Sequence, residues 1–211
     1  REATVLPVTV KHRIGIDRED RYDFVRDFVG TVAEGGCNVF IVHARNAWLK
    51  GLSPKQNREV PPLRHGVVAQ LRRDFARLTF IDNGGIATTA AIEQHLQTAD
   101  GVMVGRAAYH DPWLMADWDT RFLGAGDTAP PMRRAVESAL VDYMEREARD
   151  HGTPWSRIAR HMMGLRLGQP GARRWRQVWS DHSLAGWPAC QVHARALAAL
   201  DAAAEPIATA G

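Results

Sequence analysis

Four short apolar runs, at residues 7–10, 39–42, 78–81 and 102–104, are separated by stretches with helical periodicity. Three of the four are unbroken and rich in β-branched residues. Strands buried on both faces read this way, whereas a one-sided sheet gives strict alternation. Between the runs, residues 22–33 place Phe24, Phe28 and Val32 at helical spacing, and 67–75 and 88–96 carry shorter helical patterns. Asp111-Pro112-Trp113 reads as a helix cap followed by proline at the first helical position. A βαβα rhythm of this kind predicts a parallel sheet with crossover helices.

Polar or glycine chemistry follows each run. Lys11, His12 and Arg13 follow the first, and His43, Ala44 and Arg45 the second. Asp82, Asn83, Gly84 and Gly85 follow the third, and Gly105 and Arg106 the fourth. In parallel α/β proteins the carboxyl ends of the strands line the ligand site. Asn83-Gly84-Gly85 before a threonine-rich helix start, and Gly105-Arg106 before another helix, suit an anion bound by backbone N–H groups. The plainer reading is that these glycines serve tight βα turns.

A closed barrel needs eight strands, and four are found here. The expected class is therefore α/β plus all-α. Residues 1–123 read as the C-terminal half of a (β/α)8 TIM barrel, and 124–211 as a small four-helix bundle. A free-standing four-stranded doubly wound domain is the alternative. The chain begins with Arg1 and reads as a piece of a longer one. From about 127 to 203 no strand pattern occurs, and four helical patterns start near Pro131, Pro154, Pro170 and Pro188. Residues 124–130 read as the linker, and the tail after Ala204 as frayed.

Net charge is only +3, yet of the 27 basic residues all but Lys11, Lys50 and Lys55 are arginine. Arginine suits planar, bidentate recognition of phosphate. Residues 151–180 hold six arginines, three tryptophans and no acid. Basic surface interleaved with aromatics is a nucleic-acid footprint. Trp175 and Trp179, four residues apart, fit a core stripe equally well. A second basic segment, the long connection after His43, carries Arg45, Lys50, Lys55 and Arg58 against a single Glu59. Connections of that length in compact domains are usually functional.

Other classes are disfavoured. No apolar run approaches the roughly 18–20 residues of a membrane span. Two distant cysteines give no disulfide framework, which favours a reducing, cytoplasmic setting. Without CxxC or HExxH, no residue is assigned to a metal.

The motifs resemble the tRNA-dihydrouridine synthases. They are Lys11-His12-Arg13-Ile14-Gly15, His43-Ala44-Arg45-Asn46-Ala47-Trp48, Gly51-Leu52-Ser53-Pro54-Lys55-Gln56-Asn57-Arg58, Asn83-Gly84-Gly85 and Gly101 through Arg106. Arg160-His161-Met162-Met163-Gly164 and Pro170 through Arg176 point to the DusA branch. The resemblance implies a TIM-barrel FMN enzyme that reduces a uridine of the tRNA D-loop, at positions 20 and 20a, with NADPH as reductant. It implies Lys11 beside the flavin ring, where a cation stabilises the anionic reduced form, and His43 as a flavin-binding histidine. It further implies Asn83, Gly84, Gly85, Gly105 and Arg106 around the FMN phosphate. Lys55, Arg58, Arg173 and Arg176 match tRNA-contact positions. The family's catalytic cysteine sits in an Asn-x-Gly-Cys-Pro motif that these residues do not contain. No catalytic residue is therefore assigned, and Cys37 and Cys190 are expected to be inert packing residues. The 211 residues alone are expected to be inactive, and the full-length protein to be monomeric. A non-catalytic tRNA-binding remnant and a different FMN-dependent TIM-barrel oxidoreductase are the alternatives.

Overall fold

A computed structural model describes residues 4–124, 126 and 129–204. The expected linker at 124–130 is only partly among them, and the tail after Ala204 lies outside them. The chain divides into two compact units, Arg1–Gly105 and Arg106–Gly211.

The first unit holds strands β1 (Val10–Ile16), β2 (Val39–Ala47), β3 (Thr79–Asn83) and β4 (Gly101–Met103) in one sheet, in sequence order. All three pairings are parallel. Helices α1 (Tyr22–Glu34), α2 (His65–Asp74) and α3 (Thr89–Leu96) make the crossovers. Parallel strands in one sheet require crossovers, and a consistent hand lays them on one face. The core on that face joins Ile14, Phe40, Val42, Ala44 and Phe80 of the sheet to Val25, Val29, Val68 and Leu71 of the helices. These are the parallel strands and covering helices expected of a partial barrel.

Two details differ from expectation. The strands run further than the apolar runs that mark them: β1 starts at Val10 and continues through Lys11, His12 and Arg13, and β2 continues through His43 and Arg45. Backbone pairing does not depend on side-chain polarity, so the ladder carries on where the apolar run stops. These residues therefore stand on the strands and not in loops beyond them. In α1 the buried residues are Val25 and Val29, while Phe24 and Phe28 are about 40% exposed (40% and 41%). The phenylalanines lie one position off the sheet-facing stripe, where Phe28 meets the His12 ring with centroids 5.0 Å apart.

In the second unit, short helices α4 (Arg106–His110) and α5 (Trp118–Phe122) precede α6 (Arg133–His151), α7 (Trp155–Ala159), α8 (Ala172–Trp179) and α9 (Ala189–Ala204). Among the described residues no strand follows β4. The last four helices begin within a few residues of the four prolines, whose fixed φ suits a helix start. α6 stops at Gly152, whose left-handed φ of 64° lets its N–H reach Ala148 O. Trp155, Trp175 and Trp179 are all buried in the core of this unit, with Met144, Val192 and Leu200. The rings meet edge-on, Trp155 to Trp179 at 5.6 Å and Trp175 to Trp179 at 6.2 Å between centroids. The i, i+4 pair is thus a core stripe, and none of the three offers a platform for a base. Cys37 is buried as expected, but Cys190 is exposed on α9, so only the first is a packing residue.

Candidate cofactor and RNA site

The parallel register determines what the sheet presents on the face opposite its helices. Arg13 pairs with His43, His43 with Asn83, and Asn83 with Met103, giving one row across all four strands. Lys11 lies two residues before Arg13 and shares its face, because side chains alternate along a strand. Lys11 Nζ donates to Asn83 Oδ1 at 3.0 Å, and Asn83 Nδ2 donates to Met103 O at 2.7 Å. Asn83 thus holds the ammonium in place and ties β3 to β4.

Behind Asn83 the chain turns through Gly84 at φ 129° and Gly85 at φ 67°. A Cβ on Gly84 would lie 2.8 Å from Leu63 Cδ2 and 2.9 Å from His43 Cδ2. A Cβ on Gly85 would lie 2.6 Å from Leu63 Cδ1. Both glycines are needed for backbone shape, and their lack of side chains lets His43 and Leu63 close on the turn. Gly84→Ala is expected to cost about 1–3 kcal/mol, the usual size of such backbone strain. Urea unfolding followed by circular dichroism checks it, and a variant as stable as the parent would refute the reading. Gly105 differs, since its φ is not positive and an added Cβ would meet nothing within 4 Å. Arg106, exposed, opens α4 and is the first residue of the second unit.

Positive charge gathers on the same face. Partial burial first, then the neighbouring Arg13 charge, pushes the Lys11 pKa down. Burial, then Arg45 and Arg58, does the same to Arg13. These guanidinium groups also anchor the long connection after β2. Arg13 Nη1 donates to Asn46 O and Asn57 O, each at 2.9 Å. Arg45 Nη1 donates to Glu59 O at 3.2 Å and to Pro61 O. Asn57 closes the segment by pairing with both backbone groups of Trp48. The connection is therefore a built structure with a short 3₁₀ turn at Gln56–Arg58, and Lys55 and Arg58 are exposed on it. Arg13, Arg45 and Asn57 had no assigned role from sequence. The i, i+2 spacing of Lys11 and Arg13 is the available signal, hidden because the apolar run ends at Val10 while the strand continues.

In the helical unit, α8 buries Ala172, Trp175 and Trp179 and leaves Arg173 and Arg174 exposed. Half-buried Arg176 lines a cleft of about 290 Å³ with Tyr109, His110, Arg160, His161 and Gly164. Arg160 Nε donates to His161 Nε2 at 3.0 Å, so Nδ1 carries the ring proton toward Tyr109 Oη at 3.0 Å. Rings and guanidinium groups in one cleft can hold a base and a phosphate together. Arg166 takes no part, because both its bonds go to the buried carboxylate of Glu137 at 2.6 and 2.8 Å.

Comparison with known proteins decides the family. Residues 1–202 match the family described as dihydrouridine synthase. The chain belongs to that family. The family's fold is the TIM barrel, and its enzymes are flavin-dependent. The chain is 51% identical over 185 residues to the tRNA-dihydrouridine(20/20a) synthase of Escherichia coli K12, covering 87% of this chain and 53% of that protein. It is 51% identical over 180 residues to the synthase of the same name from Pseudomonas aeruginosa, covering 85% and 53%. The counterpart from Pseudomonas syringae pv. tomato gives 51% over 181 residues, again 85% and 53%. The chain spans about half the length of these relatives. Among the described residues no helix is long and apolar enough to cross a membrane.

Proposed function

We propose that this chain supplies the FMN-phosphate side and the RNA-binding domain of a tRNA-dihydrouridine synthase of the 20/20a type, acting in the cytoplasm with NADPH as reductant. The observation that carries the reading is the strand face shared by Lys11, His43 and Asn83 beside the Gly84–Gly85 turn. The residues fit the cofactor: the exposed Gly85 and Gly105 follow the ends of β3 and β4, on a sheet whose β1 carries the cations Lys11 and Arg13.

Bound FMN would supply hydride to the uracil ring. The chain's own residues do the rest of what it contributes. Gly84 shapes the turn, the exposed Gly85 and Gly105 offer backbone N–H groups to a phosphate, and Arg106 adds a guanidinium. Lys11, fixed by Asn83, places a cation where negative charge develops, which costs no reorganisation during reaction. His43 packs against the turn and orients it. Lys55 and Arg58 on the β2 connection, and Arg173 and Arg176 on α8, contact tRNA phosphates, and the helical domain from 124 onward is the recognition domain. The close likeness to three synthases named for positions 20 and 20a supports this over a small-molecule flavin oxidoreductase.

The test uses a polypeptide of the relatives' full length that contains these residues. NADPH-dependent dihydrouridine formation in tRNA, with FMN bound, is expected. Its absence, or bound flavin other than FMN, would overturn the reading. Arg173→Ala and Arg176→Ala are each expected to weaken tRNA binding and to lower the slope of log affinity against log salt by about 1. Filter binding over a salt series measures this, and an unchanged slope would remove both residues from the interface.

A further inference from the structure

The geometry points to a divalent transition-metal site formed by His65, Asp82 and His95 on the helix-packed face of the sheet. Three elements meet there. His65 is the first residue of α2, Asp82 belongs to β3, and His95 lies in the last turn of α3. His65 Nδ1 is 2.9 Å from Asp82 Oδ1 and 2.8 Å from Oδ2. His95 Nδ1 is 2.9 Å from Asp82 Oδ2. One ligand atom from each residue fits within a 4.8 Å span, and the two imidazoles lie 4.3 Å apart, tilted by 60°.

The placement of the carboxylate argues for a ligand. Asp82 is 1% exposed and pairs with Val42 and Val102 on its neighbouring strands. An uncompensated carboxylate there would cost several kcal/mol. Both imidazoles turn Nδ1 onto it, and these two nitrogens can coordinate a cation in place of the protons they share with the carboxylate. Two imidazole nitrogens and one carboxylate oxygen suit Zn²⁺ and its first-row neighbours, and disfavour Ca²⁺ and Mg²⁺, which prefer all-oxygen sets. The histidine side chains are 25% and 18% exposed. They give an entry path and room for water at the open coordination position. Asp82 and Asn83 are successive residues of β3, so the ion would sit on the opposite face from Lys11 and take no part in hydride transfer. It would brace the start of α2 and the end of α3 against the strand that leads into Gly84. The inference is independent of the function proposed above.

The experiment titrates Zn²⁺ into the metal-free 211-residue chain against a chromophoric chelator, with Co²⁺ as a spectroscopic stand-in. One saturable equivalent is expected. His65→Gln and His95→Gln should each weaken it at least about 100-fold, the upper end of what losing a mere outer-shell partner costs. These histidines are partly exposed, so the variants should fold, and circular dichroism verifies that. A second readout needs no variant: at one equivalent of Co²⁺, the imidazole proton signals of two of the nine histidines should broaden strongly. No saturable equivalent, undiminished affinity in both variants, or broadening of a different set of histidines would each overturn the site.

Discussion

Glu137→Ala is expected to destabilise the helical unit by about 3–5 kcal/mol, the cost of leaving a buried charge without its partner. Glu137 is fully buried on α6 and the Arg166 side chain is 12% exposed. Their bidentate pair is joined by His193 Nε2, 3.5 Å from Glu137 Oε2. Six of the seven tryptophans lie after residue 105, so urea unfolding followed by tryptophan emission reads this unit almost alone. An unchanged midpoint would show that solvent reaches the pair. Arg134 and Asp201 make a useful contrast, because their side chains are 64% and 67% exposed. Arg134→Ala should cost no more than about 1 kcal/mol. The Glu137 pair also carries a pH signature. Burial alone would push the Glu137 carboxyl up, but the nearby His193 ring, the Arg166 hydrogen bonds and the Arg166 charge outweigh it. They hold the carboxyl below its ordinary 4.5. A folded-state value below the unfolded one contributes stability that is complete above pH 4.5 and is lost as pH falls through the folded value. The gap between the parent and Glu137→Ala should therefore narrow in acid.

Lys11→Met should lower the rate of uridine reduction by about 10²–10³-fold, the loss expected when one preorganised charge at a developing anion is removed. The measurement belongs to the full-length polypeptide under saturating tRNA and NADPH. Lys11 is exposed and outside the apolar core of its unit, so the fold should survive the change. tRNA affinity should stay within about twofold, because the proposed phosphate contacts lie on other residues. A rate within about threefold of the parent would remove Lys11 from the reaction centre. Asn83→Ala should give a smaller loss, since it acts by holding Lys11 in place.

The strands were legible because buried parallel strands concentrate β-branched residues, and the helices because proline marks their starts. The strand ends were not legible, because the backbone ladder extends through Lys11–Arg13 and His43–Arg45 without regard to side-chain polarity. The glycine turn at Gly84–Gly85 announced itself, since few other residues adopt its φ values. Arg13 did not, because its role depends on which carbonyls of a distant loop it meets. The acid-free stretch 151–180 misled in one respect. The acid that neutralises Arg166 lies on α6, outside that window, so only part of the basic count faces solvent. His65, Asp82 and His95 share no motif, and crossovers alone bring them together.

The pairing register has a consequence for how sequences of this kind can change length. One residue gained or lost within β2 would turn His43 and Arg45 into the helix-packed layer and bring Phe40 and Val42 out. His43 would leave the row, and Arg13 and Asn83 would lose the neighbour that stands between them. Insertions and deletions among relatives should therefore collect in the connections, above all between Trp48 and Pro62, and leave the stretch from Val10 to Arg13 at constant length.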